Sequence, residues 1–205
     1  LENTNHCNAT CIMCPREKQT RKKGIMDFDL YKRLIDEISI NKNKVKRVHM
    51  HNFGEPLLDK KLPERIKLAK DAGIKHVYFV TNASLLNEEN SEKLIDSGLD
   101  EFKISFYGTD KDSYNSTMVD LDFETTLNNV KKFFEIRKKK KANKPKVVIQ
   151  LIPQLIGDNQ NKKWEEIFKD MINTKLGDKL LSVIIHNFGD GRDYNDIEDI
   201  EIHNV

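Results

Sequence analysis

Apolar residues recur along this chain at two alternating spacings, that of helices and that of buried strands. Phe28, Tyr31, Leu34, Ile35 and Ile38 fall three or four apart and predict a helix, with Asp27 placed to cap its start. The stretch KVKRVHMHNFGEP, residues 44–56, reads as a strand running into a turn at Gly54 and Pro56. Leu62, Ile66 and Ala69 line a second helix, which Gly73 stops. HVYFV (76–80) is a short β-rich strand of the doubly buried kind. Leu94, Ile95 and Leu99 mark a third helix, punctuated by Gly98, and EFKISF (101–106) a third strand. Phe123, Leu127, Val130 and Phe134 form the stripe of a longer helix, followed by the strand KVVIQLI (146–152). Trp164, Ile167, Phe168, Met171 and Ile172 sit at i, i+3, i+4, i+7 and i+8, an amphipathic helix, and LLSVIIH (180–186) closes the series as a strand.

Strands alternating with helices imply right-handed βαβ units and a parallel sheet. Five strands follow the first helix, and residues 1–4 would be the end of a sixth, truncated by the start of the chain. A full (β/α)8 barrel takes about 250 residues. The 205 residues here predict an α/β fold, an incomplete (β/α)6 TIM-like barrel open on one side, as one core domain over 1–205. In such folds chemistry gathers beyond the strand C-termini. The cysteine-bearing segment 7–14, NFGEP, TNAS, SFYG and HNFGDG would all lie at that end.

Composition changes little. With 35 basic against 33 acidic residues there is no large field, and neither a nucleic-acid nor a membrane partner is implied. The run RKKKKANKPK (137–146) reads as a solvated helix end and linker. No apolar run nears the roughly 20 residues that span a bilayer, and no leader pattern is visible, so the expected location is cytoplasmic. Leu1 is no initiator methionine, so the chain is expected to begin inside a longer product.

The cysteines sharpen the picture. All three, Cys7, Cys11 and Cys14, fall within eight residues. An odd count excludes a closed disulfide framework, which leaves ligation to a metal or cluster. Structural zinc wants four tetrahedral ligands, and the only nearby candidate, His6, adjoins Cys7. A [4Fe–4S] cubane usually takes four thiolates, so three would leave one iron open to a substrate. The open-iron cluster fits the count better. A zinc-stabilised binding module and an electron-transfer iron–sulfur protein remain the alternatives.

CNATCIMC, with TNHCN overlapping its start, resembles the CxxxCxxC cluster motif of radical S-adenosylmethionine (radical SAM) enzymes. FGEP resembles that family's GGEP motif, VTNASLL its TTNGxLL strand end, and ISFYG the strand carrying a cofactor-contacting serine. The resemblance spans residues 3 to about 110. It implies that Cys7, Cys11 and Cys14 hold the cluster, whose fourth iron chelates S-adenosylmethionine. It implies that Gly54, Glu55 and Pro56 receive the methionine amino group, that Asn82 and Ser105 contact ribose or carboxylate, and that the Met13 backbone meets the adenine. The implied reaction is reductive cleavage to a 5′-deoxyadenosyl radical that takes hydrogen from the substrate. It needs a reducing donor of flavodoxin or ferredoxin type and a small-molecule or peptide substrate.

Two positions depart from the pattern. Phe53 replaces the first Gly of GGEP, and Ser116 stands where many relatives carry a carboxylate-pairing arginine, which leaves Lys103 as a candidate cation. His51, Asn52, His186 and Asn187 form two HN pairs at predicted strand ends, readable as substrate contacts or as satisfied core-edge polar residues. Gly54-Glu55-Pro56 alone reads as a turn, Asn82 as a cap of its own loop, Ser105 as strand filler and Trp164 as core. The order of motifs resembles most the branch with a C-terminal cysteine-rich (SPASM/twitch-type) extension, whose members oxidise sugars and aminocyclitols or modify peptides. No cysteine follows Cys14, so such an extension is expected to be missing from this chain.

Overall fold

The computed structural model describes residues 1–157 and 160–185. Its centre is a five-stranded, wholly parallel sheet in the order β1-β2-β3-β4-β5, formed by Val48–His49, Val77–Thr81, Glu101–Ser105, Lys146–Leu151 and Lys179–Ser182. Sequential neighbours in a parallel sheet require a crossover between each pair, and the helices supply them. These are α1 (Phe28–Ile40), α2 (Leu62–Asp71), α3 (Glu88–Asp96), α4 (Lys111–Thr117), α5 (Phe123–Lys139) and α6 (Asn161–Phe168). The sheet does not close, so the expected open α/β barrel is what forms.

The predicted stripes are the buried faces. Asp27 Oδ1 accepts from the Leu30 N–H at 2.8 Å, and α1 buries Tyr31 and Ile35. Phe102 on β3 meets Phe133 of α5 edge to face, with centroids 4.8 Å apart, and Phe79 of β2 stacks beside it. Each such ring contributes about 1.5–3 kcal/mol of burial. Trp164 is core, as expected, and its indole N–H donates to the Phe106 carbonyl at 2.9 Å. The two faces of β3 differ: Phe102 and Ile104 are buried under helices, while Glu101, Lys103 and Ser105 are half-exposed on the other face.

Four expectations change. Residues 1–4 form no sheet strand: Thr4 makes one antiparallel bridge to Ile25, and the Leu1 amine bonds the His49 carbonyl at 2.5 Å. β1 is only two residues long, because Lys44, Lys46 and Arg47 before it are exposed at the sheet edge. The short α4 carries no apolar stripe to announce it, and an Asp110–Ser113 capping box starts it. Finally, α6 stops at Phe168, with Met171 in the turn beyond.

Carboxylates staple the strand starts. Asp100, before β3, accepts from the Val77 N–H of β2 at 2.9 Å and from Lys70 at 2.6 Å, with Lys144 on its other oxygen. Asp178, before β5, accepts from the Val147 N–H of β4 at 2.9 Å and pairs with the Arg137 guanidinium, both side chains being buried.

Candidate functional site

The cysteine loop has no regular structure of its own and is held by bonds to distant segments. The Glu55 N–H donates to the His6 carbonyl at 2.8 Å. The Asn8 amide donates to Ser84 Oγ at 2.9 Å and accepts from the Asn82 amide at 3.1 Å. The Thr10 and Ile12 N–H groups donate to the Val119 and Thr117 carbonyls, and the Thr10 hydroxyl to Asp120 at 2.5 Å. From within, the buried Arg16 guanidinium donates to the Ala9 carbonyl at 2.8 Å.

The turn at 54–56 is shaped by this loop. A Cβ on Gly54 would lie 1.9 Å from the Thr4 carbonyl oxygen, so the crossing N-terminal backbone itself demands glycine. Glu55 is 2% exposed. One of its oxygens accepts from Thr81 Oγ1 at 2.7 Å and the Leu57 N–H at 3.0 Å, and the other from the Asn82 N–H at 2.7 Å. The carboxylate therefore ties the end of β1 to the end of β2. No cation stands within ion-pair distance of it among the described residues. Burial pushes its pKa up to about 7.

These features surround one cavity of 430 Å³ at the C-terminal edge of the sheet. Cys7, Cys11, Cys14 and Met13 line it from the loop, and His51, Asn52, Gly54 and Glu55 from beyond β1. Asn82 and Ser105 line it from the ends of β2 and β3. Pro56 does not; it opens a 3-10 turn, and its carbonyl accepts from Asn3. Asn82 does cap its own loop, its oxygen accepting from the Ser84 N–H, and the residue also lines the cavity. His186 and Asn187 lie outside the described residues.

Sequence reasoning missed several residues. Tyr107 and Gln150 line the cavity, and the Tyr107 hydroxyl donates to Ser105 Oγ at 3.0 Å. Arg16, Asn8 and Ser84 brace the loop; the last two sit inside CNATC and TNAS, where their spacing carried no separate signal. A larger groove of 1040 Å³ lies by Arg137 and Asn173, in segments that precede β4 and β5, and contains no thiol or imidazole.

All three cysteines are free thiols. Burial pushes their pKa values up, Cys11 furthest, where the other two sulfurs add to the effect; the Arg16 guanidinium pulls all three back. Desolvated thiols give up their protons to a cationic centre that replaces the lost hydration. Among the described residues no three Cys, His, Asp or Glu side chains could hold a metal ion. Zinc would need sulfurs roughly 3.8 Å apart about one point, from a Zn–S bond of about 2.3 Å. A cubane instead takes each thiolate on its own iron, and three thiols lining one cavity are a donor set that fits such a cluster with one iron left open.

Three thiols on a loop at the strand C-termini of an open parallel barrel are the kind of donor set an iron–sulfur α/β protein uses. The Radical SAM superfamily model matches residues 1–171, most of the chain, which therefore belongs to that superfamily, whose members use a [4Fe–4S] cluster and S-adenosylmethionine. An uncharacterized protein of Methanocaldococcus jannaschii is 33% identical over 132 residues, 64% of this chain and 41% of the relative. A probable GTP 3′,8-cyclase of Methanococcus maripaludis is 31% identical over 140 residues, 66% of this chain and 45% of its own. The chain thus spans less than half the length of these two relatives. Two solved structures share the fold. Streptococcus suis SuiB bound to the precursor peptide SuiA has a TM-score of 0.73 at 16% identity, covering 93% of this chain and 39% of that one. BtrN in complex with AdoMet and 2-DOIA has a TM-score of 0.54 at 21% identity, covering 90% and 68%. No helix among the described residues is long and apolar enough to cross a membrane.

Proposed function

We propose that this chain is the catalytic core of an enzyme that oxidises or otherwise modifies a small molecule or a peptide by hydrogen abstraction. The observation that carries the reading is the meeting, around one 430 Å³ cavity, of three thiols, the Gly54-Glu55 turn, Asn82 and Ser105. Cys7, Cys11 and Cys14 would hold the cluster. Bound there, cluster and cofactor would supply reductive cleavage of a sulfonium to a 5′-deoxyadenosyl radical, an oxidant able to take hydrogen from an unactivated carbon.

The chain's own groups prepare that chemistry. Glu55 carries a buried carboxylate with no cation partner among the described residues, and an amino group in the cavity would supply the missing charge. Ser105, held by Tyr107, and Asn82, held by Asn8 and Ser84, present fixed polar atoms to the same space. Met13 and Ile152 give it apolar walls that exclude water, which protects a radical from stray hydrogen donors. The relatives that act on a nucleotide and the fold neighbour that binds a peptide support a substrate from either class, with electrons from a flavodoxin- or ferredoxin-type donor.

Anaerobic reconstitution with iron and sulfide, then dithionite and S-adenosylmethionine, tests the reading by chromatography. Wild type should yield 5′-deoxyadenosine, and a Cys11→Ala variant should neither colour nor turn over. A colourless protein that loads only zinc, or a cluster whose spectrum ignores the cofactor, would overturn it.

A further inference from the structure

Below the cavity, the concave face of the sheet carries an array the reaction scheme does not use. Lys103 stands at the middle of the central strand β3, between Val80 and Val148 in register, where a barrel interior ordinarily takes an apolar residue. Its ammonium lies over the Tyr78 ring, 5.5 Å from the centroid, and the Arg47 guanidinium lies 6.0 Å from the same centroid. The Tyr78 hydroxyl shares a 2.8 Å hydrogen bond with His49 Nδ1, and the His49 ring stacks on His51 at 5.9 Å and 4°. His51 lines the cavity, and its Nδ1 is buried without a hydrogen-bond partner.

The acids on this side are engaged elsewhere. Glu101 lies 3.9 Å from His76, while Glu2 accepts from Arg21 at 2.8 Å and the Phe53 N–H at 2.9 Å. Among the described residues no carboxylate pairs with Lys103 or Arg47. A half-buried cation without a counter-ion and an imidazole with an unused nitrogen thus flank the same Tyr78 ring, a donor set without an acceptor among the described residues.

We propose that Lys103 and His51, braced by Tyr78 and His49, form an oxyanion subsite just beneath the cavity, reached from it past His51, which takes a carboxylate or phosphate of the substrate. Lys103 supplies charge, and His51 a neutral donor, since burial first and its neighbour His49 next push its pKa down to about 4. The subsite rests on the proposed function only in calling its occupant the substrate. The cofactor's own carboxylate is the other source of the same chemistry. Lys103 stands two residues below Ser105, outside the cavity wall, which favours the substrate.

The reconstituted full chain, wild type and Lys103→Met, is titrated calorimetrically with inorganic phosphate and, separately, with S-adenosylmethionine. Lys103→Met should weaken phosphate by about ten-fold or more, and Lys103→Arg should keep it within about three-fold. Cofactor affinity should stay within about two-fold in both variants, as expected where an interaction serves one ligand only. In wild type, phosphate should also shift the His51 ring resonances, a readout independent of how the variants fold. Phosphate binding that is absent from wild type or indifferent to Lys103→Met overturns the subsite. So does a parallel loss of cofactor affinity, which would assign the lysine to the cofactor. A chain that loads no cluster and binds no cofactor sinks the functional reading instead, and the phosphate titration, needing neither, still decides the subsite.

Discussion

The two ends of the sheet use carboxylates in opposite ways. At the strand starts, Asp100 and Asp178 each bond an N–H in the first two residues of a neighbouring strand and each is neutralised, by lysines or by Arg137. Burial alone would raise the Asp100 pKa, but Lys144, Lys70 and the Val77 N–H outweigh it and hold the carboxyl below its usual range. At the strand ends, Glu55 makes the same kind of tie between β1 and β2 with backbone and hydroxyl donors alone. Its charge is left over, and its pKa rises to about 7. One end is electrostatically finished and serves stability. The other is stable enough to persist and short of one positive charge, as a site for a cationic ligand should be.

The largest effect that tests this contrast comes from the finished end. Asp178→Ala strands a buried guanidinium and two backbone donors, and should cost about 3–5 kcal/mol in urea unfolding. Cofactor affinity should not change, and a drop in it would show that the two ends are not separable. The next effect is pH-dependent. A carboxyl with a folded pKa above its unfolded one stabilises below the lower value and loses that contribution as pH rises. Unliganded wild type should therefore lose up to about 3 kcal/mol between pH 4.5 and 7 relative to Glu55→Ala, a loss that bound cofactor narrows. Parallel urea midpoints against pH for the two proteins would refute it.

Glu55→Gln sharpens the point, because it removes the charge and keeps the shape. Each carboxylate oxygen accepts a backbone N–H, so either orientation of the amide sets one donor against another. Thermal unfolding at pH 8 should report a loss of about 1–3 kcal/mol, and a more stable variant would mean the charge outweighs the bonds. Smallest is Asn8→Ala, which removes two side-chain bonds of the loop and should cost about 1 kcal/mol. Chemical denaturation checks the cost, and faster iron loss to a chelator should accompany it.

Periodicity made most of the fold readable, because a helix or strand that buries one face must show that face in its sequence. It failed where that condition lapses. The mostly polar α4 is held by its capping box and a single buried aromatic, Tyr114, rather than by a stripe, and the edge strand β1 is cut short by exposed Lys44, Lys46 and Arg47. The cysteines were legible because all three thiols of the chain fall within eight residues, a spacing that stands out in the sequence itself. Arg16 and Tyr107 were not, since their roles arise only from what the fold sets beside them. Gly54 was readable as part of a turn, but the Thr4 carbonyl that leaves no room for a Cβ there is set beside it only by the fold.

The long-range anchoring of the cysteine loop bears on how the protein matures. Residues 8, 10 and 12 find their partners near residues 84, 117 and 119, so the thiols are presented only after more than half the chain has been synthesised and folded. Small zinc domains are organised by their ion. Here the cysteine loop is held by segments more than a hundred residues further on, so a cluster bound there would be delivered late in biogenesis.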